Sequence, residues 1–329
     1  MRATITSVAH YVPPTILDNA YFANYLDTTD EWILTRTGIS ERHISKEGAT
    51  SDLIVPAAKE CIAKRGLTPD DIDCIIVATV TPDHSFPATA ALVQHKIGAN
   101  NAWGYDMTAA CSSFLFAFIS ACKLVESGAV KRLLLCGGDK MSTITDYSDR
   151  TQAMLFGDAA AVVLIEESND PDCGIIDFFS RIDGSGAPYL RMEAGGSAKP
   201  PSIETVQNKE HYLKQDGQTV FKAAVKAMAD VTLDIMKRNN LEGKDVAWFV
   251  PHQANMRIIT ATADRMGLPK EQVMINIQKY GNTTAATIPL CISEWNEAGK
   301  IKKGDNVIMS SFGAGWTYGS VLLRWNMNK

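Results

Sequence analysis

The run of residues 114–125 constrains the fold most, because its side chains are apolar on nearly every face of the helix that they would form. A helix at a protein surface carries one apolar stripe, whereas a helix that is apolar all round has to be buried. Gly128 follows the run and is a typical helix stop. With 329 residues, of which 46% are hydrophobic, the chain is long enough to bury such a helix inside a large core.

The same order of predicted elements occurs twice along the chain, which indicates two related βα halves. Hydrophobic periodicity in the first half predicts helices over residues 52–65, 88–97 and 112–127 and strands over 72–80, 103–107, 132–136 and 159–165. In the second half it predicts helices over 219–239, 256–266 and 283–298 and strands over 246–250, 273–277, 306–311 and 318–325. We therefore divide the chain into an N-terminal half, residues 1–182, and residues 183–329, which comprise a polar connecting segment and the C-terminal half.

Charge, cysteine content and hydropathy argue against several classes of protein. The formal net charge of −5, without a Lys/Arg-rich block, argues against a nucleic-acid partner. No apolar run reaches the length of a membrane span, and no signal-like segment stands near the N-terminus. Seven scattered cysteines are typical of a reducing compartment, so we expect a cytoplasmic protein. No ligand spacing or glycine-rich phosphate loop predicts a metal or other cofactor, and we expect none.

Three polar side chains stand where a predicted strand gives way to a helix. Cys111 follows the strand over 103–107, His252 follows the strand over 246–250, and Asn282 follows the strand over 273–277. The carboxyl ends of parallel strands share one edge of a sheet, so these side chains are expected to converge. A helix N-terminus favours thiolate over thiol, which makes Cys111 the candidate nucleophile. Taken singly, each residue also has a structural interpretation: a packed cysteine, a satisfied histidine or an N-cap asparagine.

The repeat also predicts how Cys111 and Asn282 are related in space. Each opens the third helix of its half, so a pseudo-twofold axis would set the two residues facing each other. The helices over 112–127 and 283–298 would then form the buried middle layer of an α/β/α/β/α sandwich.

Seven motifs occur in a fixed order along the chain: WILTRTGI at 32–39, TPDHSFP at 81–87, AACSS at 109–113, FGD at 156–158, PHQANMRII at 251–259, GNTTAA at 281–286 and SFGAGWTYG at 311–319. Over essentially its full length the chain resembles the β-ketoacyl-acyl carrier protein synthase III family of the thiolase superfamily. The resemblance implies a five-layered sandwich of two pseudo-twofold-related repeats. It also implies decarboxylative condensation of an acyl-CoA primer with malonyl-acyl carrier protein, which initiates fatty acid biosynthesis.

The motifs also distinguish this family from its relatives. Elongating ketosynthases use Cys-His-His, whereas this sequence has Asn282 in the third position, and degradative thiolases carry a second cysteine that is missing before Gly313. Chalcone-synthase-like enzymes are usually longer and lack the WILTRTGI opening. Three alternatives remain open: a synthase III homologue of specialised metabolism, a papain-like cysteine hydrolase, whose Gly-Ser-Cys-Trp pattern is missing here, and a catalytically silent scaffold.

The resemblance implies a role for each matching residue. Cys111 would carry the acyl group, and His252 and Asn282 would donate hydrogen bonds to the enolate oxygen of the malonyl group. The backbone N–H groups of Cys111 and Ala314 would form the oxyanion hole. The remaining residues implied in binding are Trp32, Arg36 and Arg150 for CoA, Phe156, Phe221 and Phe312 for the acyl pocket, Phe86 for the acyl pocket of the partner in a homodimer, and Lys222, Arg257 and Arg265 for the carrier protein.

Overall fold

The computed structural model describes residues 2–327, which form thirteen strands and ten α-helices. The strands are β1 (Ala3–Tyr11), β2 (Thr15–Asp18), β3 (Glu41–Ile44), β4 (Cys74–Ala78), β5 (Trp103–Met107), β6 (Arg132–Asp139), β7 (Ala159–Glu167), β8 (Gly174–Ile182), β9 (Leu190–Met192), β10 (Leu213–Gln215), β11 (Trp248–Pro251), β12 (Asn306–Gly313) and β13 (Thr317–Arg324). The helices are α1 (Asn19–Ala23), α2 (Asp30–Thr37), α3 (Thr50–Lys64), α4 (Thr89–Ile97), α5 (Ser113–Glu126), α6 (Ile203–Gln207), α7 (Gly217–Arg238), α8 (Met256–Met266), α9 (Ile277–Tyr280) and α10 (Thr287–Glu297). Within residues 2–327 no helix is long and apolar enough to cross a membrane.

The strands form two principal sheets. The first sheet has the order β1-β7-β6-β4-β5, in which β4 runs parallel to β5 and β6, and β7 is antiparallel to β6 and β1. The second sheet has the order β11-β12-β13-β8, in which β11 and β12 are parallel and the other pairs antiparallel. Two short ladders, β2 with β3 and β9 with β10, lie outside both sheets.

Helices form three layers around the two sheets. Helices α3 and α4 pack against the first sheet, and α7, with α8 packed on it, covers the second. Helix α5 contacts β4 and β6 on one side and β13 on the other, while α10 contacts β1, β7 and β11. Both helices therefore lie between the sheets, and the predicted α/β/α/β/α sandwich is confirmed.

Helix α5 lies in this central layer because its sequence offers no polar face. Phe114, Leu115, Phe118 and Cys122 are fully or almost fully buried. Burial of each large apolar side chain contributes roughly 1.5–3 kcal/mol. Its partly buried Ser120 hydroxyl donates to the carbonyl of Phe116 one turn earlier, so this polar group is satisfied inside the helix.

The strand predicted over residues 273–277 is wrong, because the side chain of Gln253 takes the place of a neighbouring strand. The segment makes one bridge to Phe249, where the Met274 N–H donates to the Phe249 carbonyl at 2.9 Å. Beyond it, the Gln253 amide donates to the Met274 carbonyl (3.2 Å) and its oxygen accepts from the N–H groups of Asn276 (3.1 Å) and Ile277 (3.2 Å). These side-chain bonds satisfy the backbone without a ladder, and the chain turns directly into α9.

Several other regions also differ from the sequence-based expectation. The helix predicted over 283–298 consists of a short 3-10 turn, Thr284–Ala286, followed by α10. No element was assigned before residue 52, where the structure has β1, β2, β3, α1 and α2, or between residues 166 and 218, where it has β8, β9, β10 and α6. Strand β8 pairs with β13 in the second sheet, so by sheet membership the chain passes from one half to the other between β7 and β8. The division at residue 182 stays a prediction.

Candidate active site

A cavity of about 490 Å³ is lined by side chains from both predicted halves, and Cys111, His252 and Asn282 all line it. Cys111 lies between β5 and α5, His252 directly follows β11, and Asn282 follows α9. The structure therefore brings together the three residues that stand at the ends of separate elements.

A tight turn presents Cys111 to the cavity. Ala110 adopts the left-handed region with φ of +50°, which costs a non-glycine residue about 1–2 kcal/mol. The Ser113 hydroxyl stabilises the turn, because it donates to the Ala110 carbonyl (2.6 Å) and accepts from the Ala109 N–H (2.7 Å). Helix α5 then begins at Ser113, so Cys111 lies at its N-terminal end as predicted.

The surroundings of Cys111 do not give the stabilised thiolate expected from the helix terminus. Burial raises the pKa of the thiol to about 12, and the negative charge of Asp139 acts in the same direction. The N–H of Cys111 itself opposes this shift. This shift favours the protonated thiol over the thiolate.

His252 is a buried, neutral imidazole. The backbone N–H of His252 donates to the Ser310 carbonyl (2.8 Å), and the ring Nδ1 lies 2.7 Å from the Thr287 hydroxyl oxygen. Burial lowers the pKa of the imidazole to about 3, so it carries no charge at neutral pH. Within residues 2–327 its Nε2 has no hydrogen-bond partner, which leaves this atom for a group that enters the cavity.

Asn282 is oriented so that its amide nitrogen is the free end of the side chain. Its Oδ1 accepts the Thr284 N–H at 2.9 Å, so Nδ2 is the donor that remains for a ligand. Backbone bonds fix the residue on both sides, because its N–H donates to Leu155 (2.9 Å) and its carbonyl accepts from Gly157 (3.2 Å). Gly281 has φ of +62°, and a Cβ there would lie 2.8 Å from the Leu155 carbonyl oxygen, so only glycine fits at this position.

A buried carboxylate that the sequence analysis missed connects the two halves beside Cys111. Oδ1 of Asp139, at the end of β6, accepts from Thr79, Val80 and Thr81, and Oδ2 accepts the Ala285 N–H at 3.0 Å. Burial raises the pKa of this carboxyl, and the hydrogen bonds oppose the shift. An acidic residue at the end of an otherwise apolar strand was the signal that could have identified it.

The predicted oxyanion residues lie where two loops touch. A Cβ on Gly313 would come within 2.6 Å of the Cys111 nitrogen, so this glycine lets the loop after β12 approach Cys111. The Thr317 hydroxyl donates to the Ala109 carbonyl (2.7 Å) and ties the two loops together. Ala314 lines the same cavity as Cys111.

The three residues expected to bind CoA lie together along the cavity. Trp32, Arg36 and Arg150 all line it. The guanidinium of Arg150 lies 4.6 Å from the centre of the Trp32 ring, and that of Arg36 lies 6.0 Å away. The two flat groups predicted to sandwich an adenine are therefore in direct contact in this structure.

The predicted acyl-pocket and docking residues divide into two groups. Phe156, Phe221, Phe312 and Arg257 line the cavity, and the Arg257 guanidinium lies 4.4 Å from the centre of the Phe221 ring. Outside the cavity lining are Lys222, which is exposed, Arg265, which pairs with Asp230 at 2.9 Å, and Phe86, which is 86% exposed. Among the described residues, no group of three or more His, Cys, Asp or Glu side chains could hold a metal ion.

Two protein-family models match the chain, and each covers residues that line this cavity. The description 3-Oxoacyl-[acyl-carrier-protein (ACP)] synthase III matches residues 105–184, which contain Cys111. The corresponding C-terminal description matches residues 236–325, which contain His252 and Asn282.

Full-length relatives and a solved structure agree with these matches. The β-ketoacyl-[acyl-carrier-protein] synthase III of Koribacter versatilis is 51% identical over 326 residues, which cover 98% of each chain. That of Chlorobium chlorochromatii is 53% identical over 99% of this chain and 100% of its own. The crystal structure of 3-oxoacyl-[acyl-carrier-protein] synthase III from Aquifex aeolicus has a TM-score of 0.91 at 38% identity, over 98% of this chain and 100% of the other. The chain therefore belongs to the β-ketoacyl-[acyl-carrier-protein] synthase III family, and it is a condensing acyltransferase of fatty acid biosynthesis with the thiolase fold.

Proposed function

We propose that this enzyme condenses the acyl group of an acyl-CoA with malonyl-acyl carrier protein, giving 3-oxoacyl-acyl carrier protein, CoA and carbon dioxide. The observation that carries the proposal is the convergence of a thiol, an imidazole nitrogen and an amide nitrogen on one cavity. Cys111 supplies the nucleophile, and His252 and Asn282 supply two uncharged polar groups for the malonyl thioester.

In the first step the Cys111 sulfur attacks the thioester carbonyl of acyl-CoA. The negative charge on the carbonyl oxygen is stabilised by the N–H groups of Cys111 and Ala314, which act as backbone hydrogen-bond donors. The bond to the CoA sulfur then breaks, and the proton lost by Cys111 leaves with CoA. Because one thioester replaces another, this step is nearly balanced in energy.

In the second step malonyl-acyl carrier protein enters and loses carbon dioxide. The electron pair of the broken bond becomes an enolate, whose oxygen accepts from Asn282 Nδ2 and from His252. The carbanion carbon attacks the acyl group on Cys111 and displaces the thiolate. Uncharged donors suit this step, because a carboxylate in the place of Asn282 would repel the enolate.

The proposal is tested by the intact mass of the enzyme after mixing with an acyl-CoA, followed by a chase with malonyl-acyl carrier protein. An acyl adduct that the chase discharges supports the condensing mechanism, and a comparison of acetyl-, propionyl- and isobutyryl-CoA ranks the primers. An adduct that the chase leaves in place would favour the alternative, a synthase III-like acyltransferase of specialised metabolism. If none of the acyl-CoA substrates gives an adduct with the enzyme, the proposed function is overturned.

We propose that CoA binds with its adenine between Trp32 and Arg150 and its phosphates near Arg36. An indole face and a guanidinium plane both stack well on an aromatic base. Because Arg150 now contacts Trp32 directly, it has to move aside when the adenine enters.

We propose that the acidic carrier protein docks beside the cavity mouth, on Arg257 and Lys222, with Arg265 as a weaker contributor. Arg257 lines the cavity and packs on Phe221, so its charge is held at a fixed place. The charge of Arg265 is already offset by Asp230. Such a patch would allow an enzyme of net charge −5 to attract an acidic partner.

Arg257→Glu is expected to raise the KM for malonyl-acyl carrier protein about 5- to 10-fold. A change of this size corresponds to the free energy of a surface ion pair that is lost when a charge at the rim of an interface is reversed. Steady-state kinetics measure this KM, and the rate of Cys111 acylation by acyl-CoA should stay within about twofold. Lys237→Glu is the matched control, because it reverses an exposed charge at the far end of α7. An unchanged KM for Arg257→Glu would argue against docking at this site.

We also propose that two copies pair through the edges of their first sheets. Strand β5 is an edge strand of that sheet, and edge strands present backbone groups that a second strand can pair with. Trp103 on this strand is 50% exposed, and Phe86, which is 86% exposed in the loop between β4 and α4, would reach toward the acyl pocket of the partner. Sedimentation equilibrium tests this proposal, and a mass of one chain, 35.8 kDa, would contradict it.

The proposed steps use side chains, backbone N–H groups and two thioester substrates, and none of them requires a metal or redox cofactor. The cytoplasmic location stays a prediction. It is supported by the seven cysteines, all of which are unpaired in the part of the chain that the structure describes.

A further inference from the structure

Thr287 lies directly behind His252, on the side away from the free Nε2. Its hydroxyl oxygen is 2.7 Å from His252 Nδ1, and both residues are buried. The same hydroxyl oxygen is 3.0 Å from the Thr284 carbonyl. A hydroxyl has one hydrogen: if that hydrogen goes to the carbonyl, the hydroxyl oxygen accepts from a protonated Nδ1, and if it goes to Nδ1, the ring proton stays on Nε2.

The competition favours the imidazole. The Thr284 carbonyl already accepts the backbone N–H of Thr287, so it is satisfied without the hydroxyl. Nδ1 is also the closer of the two atoms to the hydroxyl oxygen, at 2.7 Å against 3.0 Å for the carbonyl. A hydroxyl that donates to Nδ1 leaves the single ring proton of a neutral imidazole on Nε2.

The segment that contains Thr284 and Thr287 also orients Asn282, the second hydrogen-bond donor of the site. The Thr284 N–H holds Asn282 Oδ1 and thereby leaves Nδ2 free. Thr284 adopts φ of +51°, which is a strained backbone conformation for a β-branched residue. Strain of this kind costs about 1–3 kcal/mol and persists only where the surroundings fix it. Here Asp139 fixes it through its bond to the Ala285 N–H.

We propose that Thr287 is a positioning residue, which donates its hydroxyl proton to His252 Nδ1 and so fixes the Nε2–H tautomer that stabilises the enolate. This inference rests on the proposed function, because it assigns the source of the hydrogen bond in the malonyl step. Residues 282–287 thus set the hydrogens of both donors: Thr284 orients Asn282, and Thr287 orients the proton of His252. The acyl-transfer step does not use this proton.

Two variants separate the hydroxyl from the bulk of the side chain. Thr287→Val keeps the shape and removes the donor, whereas Thr287→Ser keeps the donor and removes a methyl group. We expect Thr287→Val to lower kcat for condensation about 10- to 100-fold. This decrease is no larger than the one expected when a hydrogen-bond donor to the enolate is removed outright. Acylation of Cys111 by acyl-CoA should stay within about twofold, and Thr287→Ser should condense at near the rate of the unmodified enzyme.

Nitrogen NMR of histidine-labelled enzyme reads the tautomer directly. The signals of His252 are identified among the six histidines by their loss in His252→Gln. We expect a protonated Nε2 and an unprotonated Nδ1 in the unmodified enzyme, and a mixture of both tautomers in Thr287→Val.

Three results would overturn the inference: a protonated Nδ1 in the unmodified enzyme, an unchanged kcat in Thr287→Val, or equal losses in the Ser and Val variants. If Thr287→Val does not fold, as judged by thermal unfolding, the NMR spectrum of the unmodified enzyme still decides the tautomer. Failure of every acyl-CoA to label Cys111 would instead contradict the proposed function, and the spectrum distinguishes the two cases.

Discussion

Cys111→Ala is expected to abolish the acyl-enzyme completely, so that no acyl-CoA increases the mass of the protein. The six other cysteines are buried and none of them lines the cavity, so no second thiol can take the acyl group. Overall condensation should fall by about 1,000-fold or more, because the covalent route is lost and only substrate binding and the oxyanion groups remain. Intact-protein mass spectrometry and a condensation assay measure the two effects.

Cys122→Ala is the matched control for this variant. It removes a fully buried thiol from α5, the helix that begins two residues after Cys111. It is expected to lower the stability of the protein by about 1 kcal/mol while the acyl adduct still forms. An adduct on Cys111→Ala, or its absence on Cys122→Ala, would contradict the assignment of the nucleophile.

Asn282→Ala is expected to lower decarboxylative condensation about 100- to 1,000-fold while acyl transfer to Cys111 continues. The physical reason is the loss of the Nδ2 donor, which serves the enolate and has no part in the first step. Discharge of a preformed acyl-enzyme by malonyl-acyl carrier protein measures the condensation, and the mass increase with acyl-CoA measures the transfer.

Asn282→Asp shows whether the loss of condensation comes from the missing hydrogen-bond donor or from a disturbed loop. Aspartate keeps an oxygen that accepts the Thr284 N–H, so the turn is held, but it replaces the donor with a second oxygen. Condensation should therefore fail in this variant as well. Equal loss of acyl transfer and condensation in Asn282→Ala would show that the two steps are not divided between residues as proposed.

The convergence of Cys111, His252 and Asn282 on one cavity could be predicted from the sequence, because Cys111 and His252 each follow a strand that the structure contains. Residues 114–125 are apolar on nearly all sides, and this pattern alone identifies a buried helix and places Cys111 at its start. The motifs around His252 and Asn282 then supplied the partners through the family resemblance.

The parts that sequence analysis missed depend on side chains that replace or override local patterns. Residues 273–277 have the composition of a strand, but Gln253 satisfies their backbone and the ladder does not form. The pKa of Cys111 follows from its depth in the protein and from Asp139, and neither is visible in the neighbouring residues. The role of Thr287 depends on a contact of 2.7 Å between elements that lie 35 residues apart in the chain.

The central position of α5 has a consequence for the chain as it emerges from the ribosome. All strands of the first sheet precede residue 168, so this sheet and its outer helices can assemble while synthesis continues. The opposite face of α5 is covered only when β13 has been made and has paired with β8. Until then a wide apolar surface of the nascent protein faces water, and such surfaces bind chaperones or aggregate. The helix that specifies the finished fold is therefore the element on which a chaperone is expected to act during synthesis.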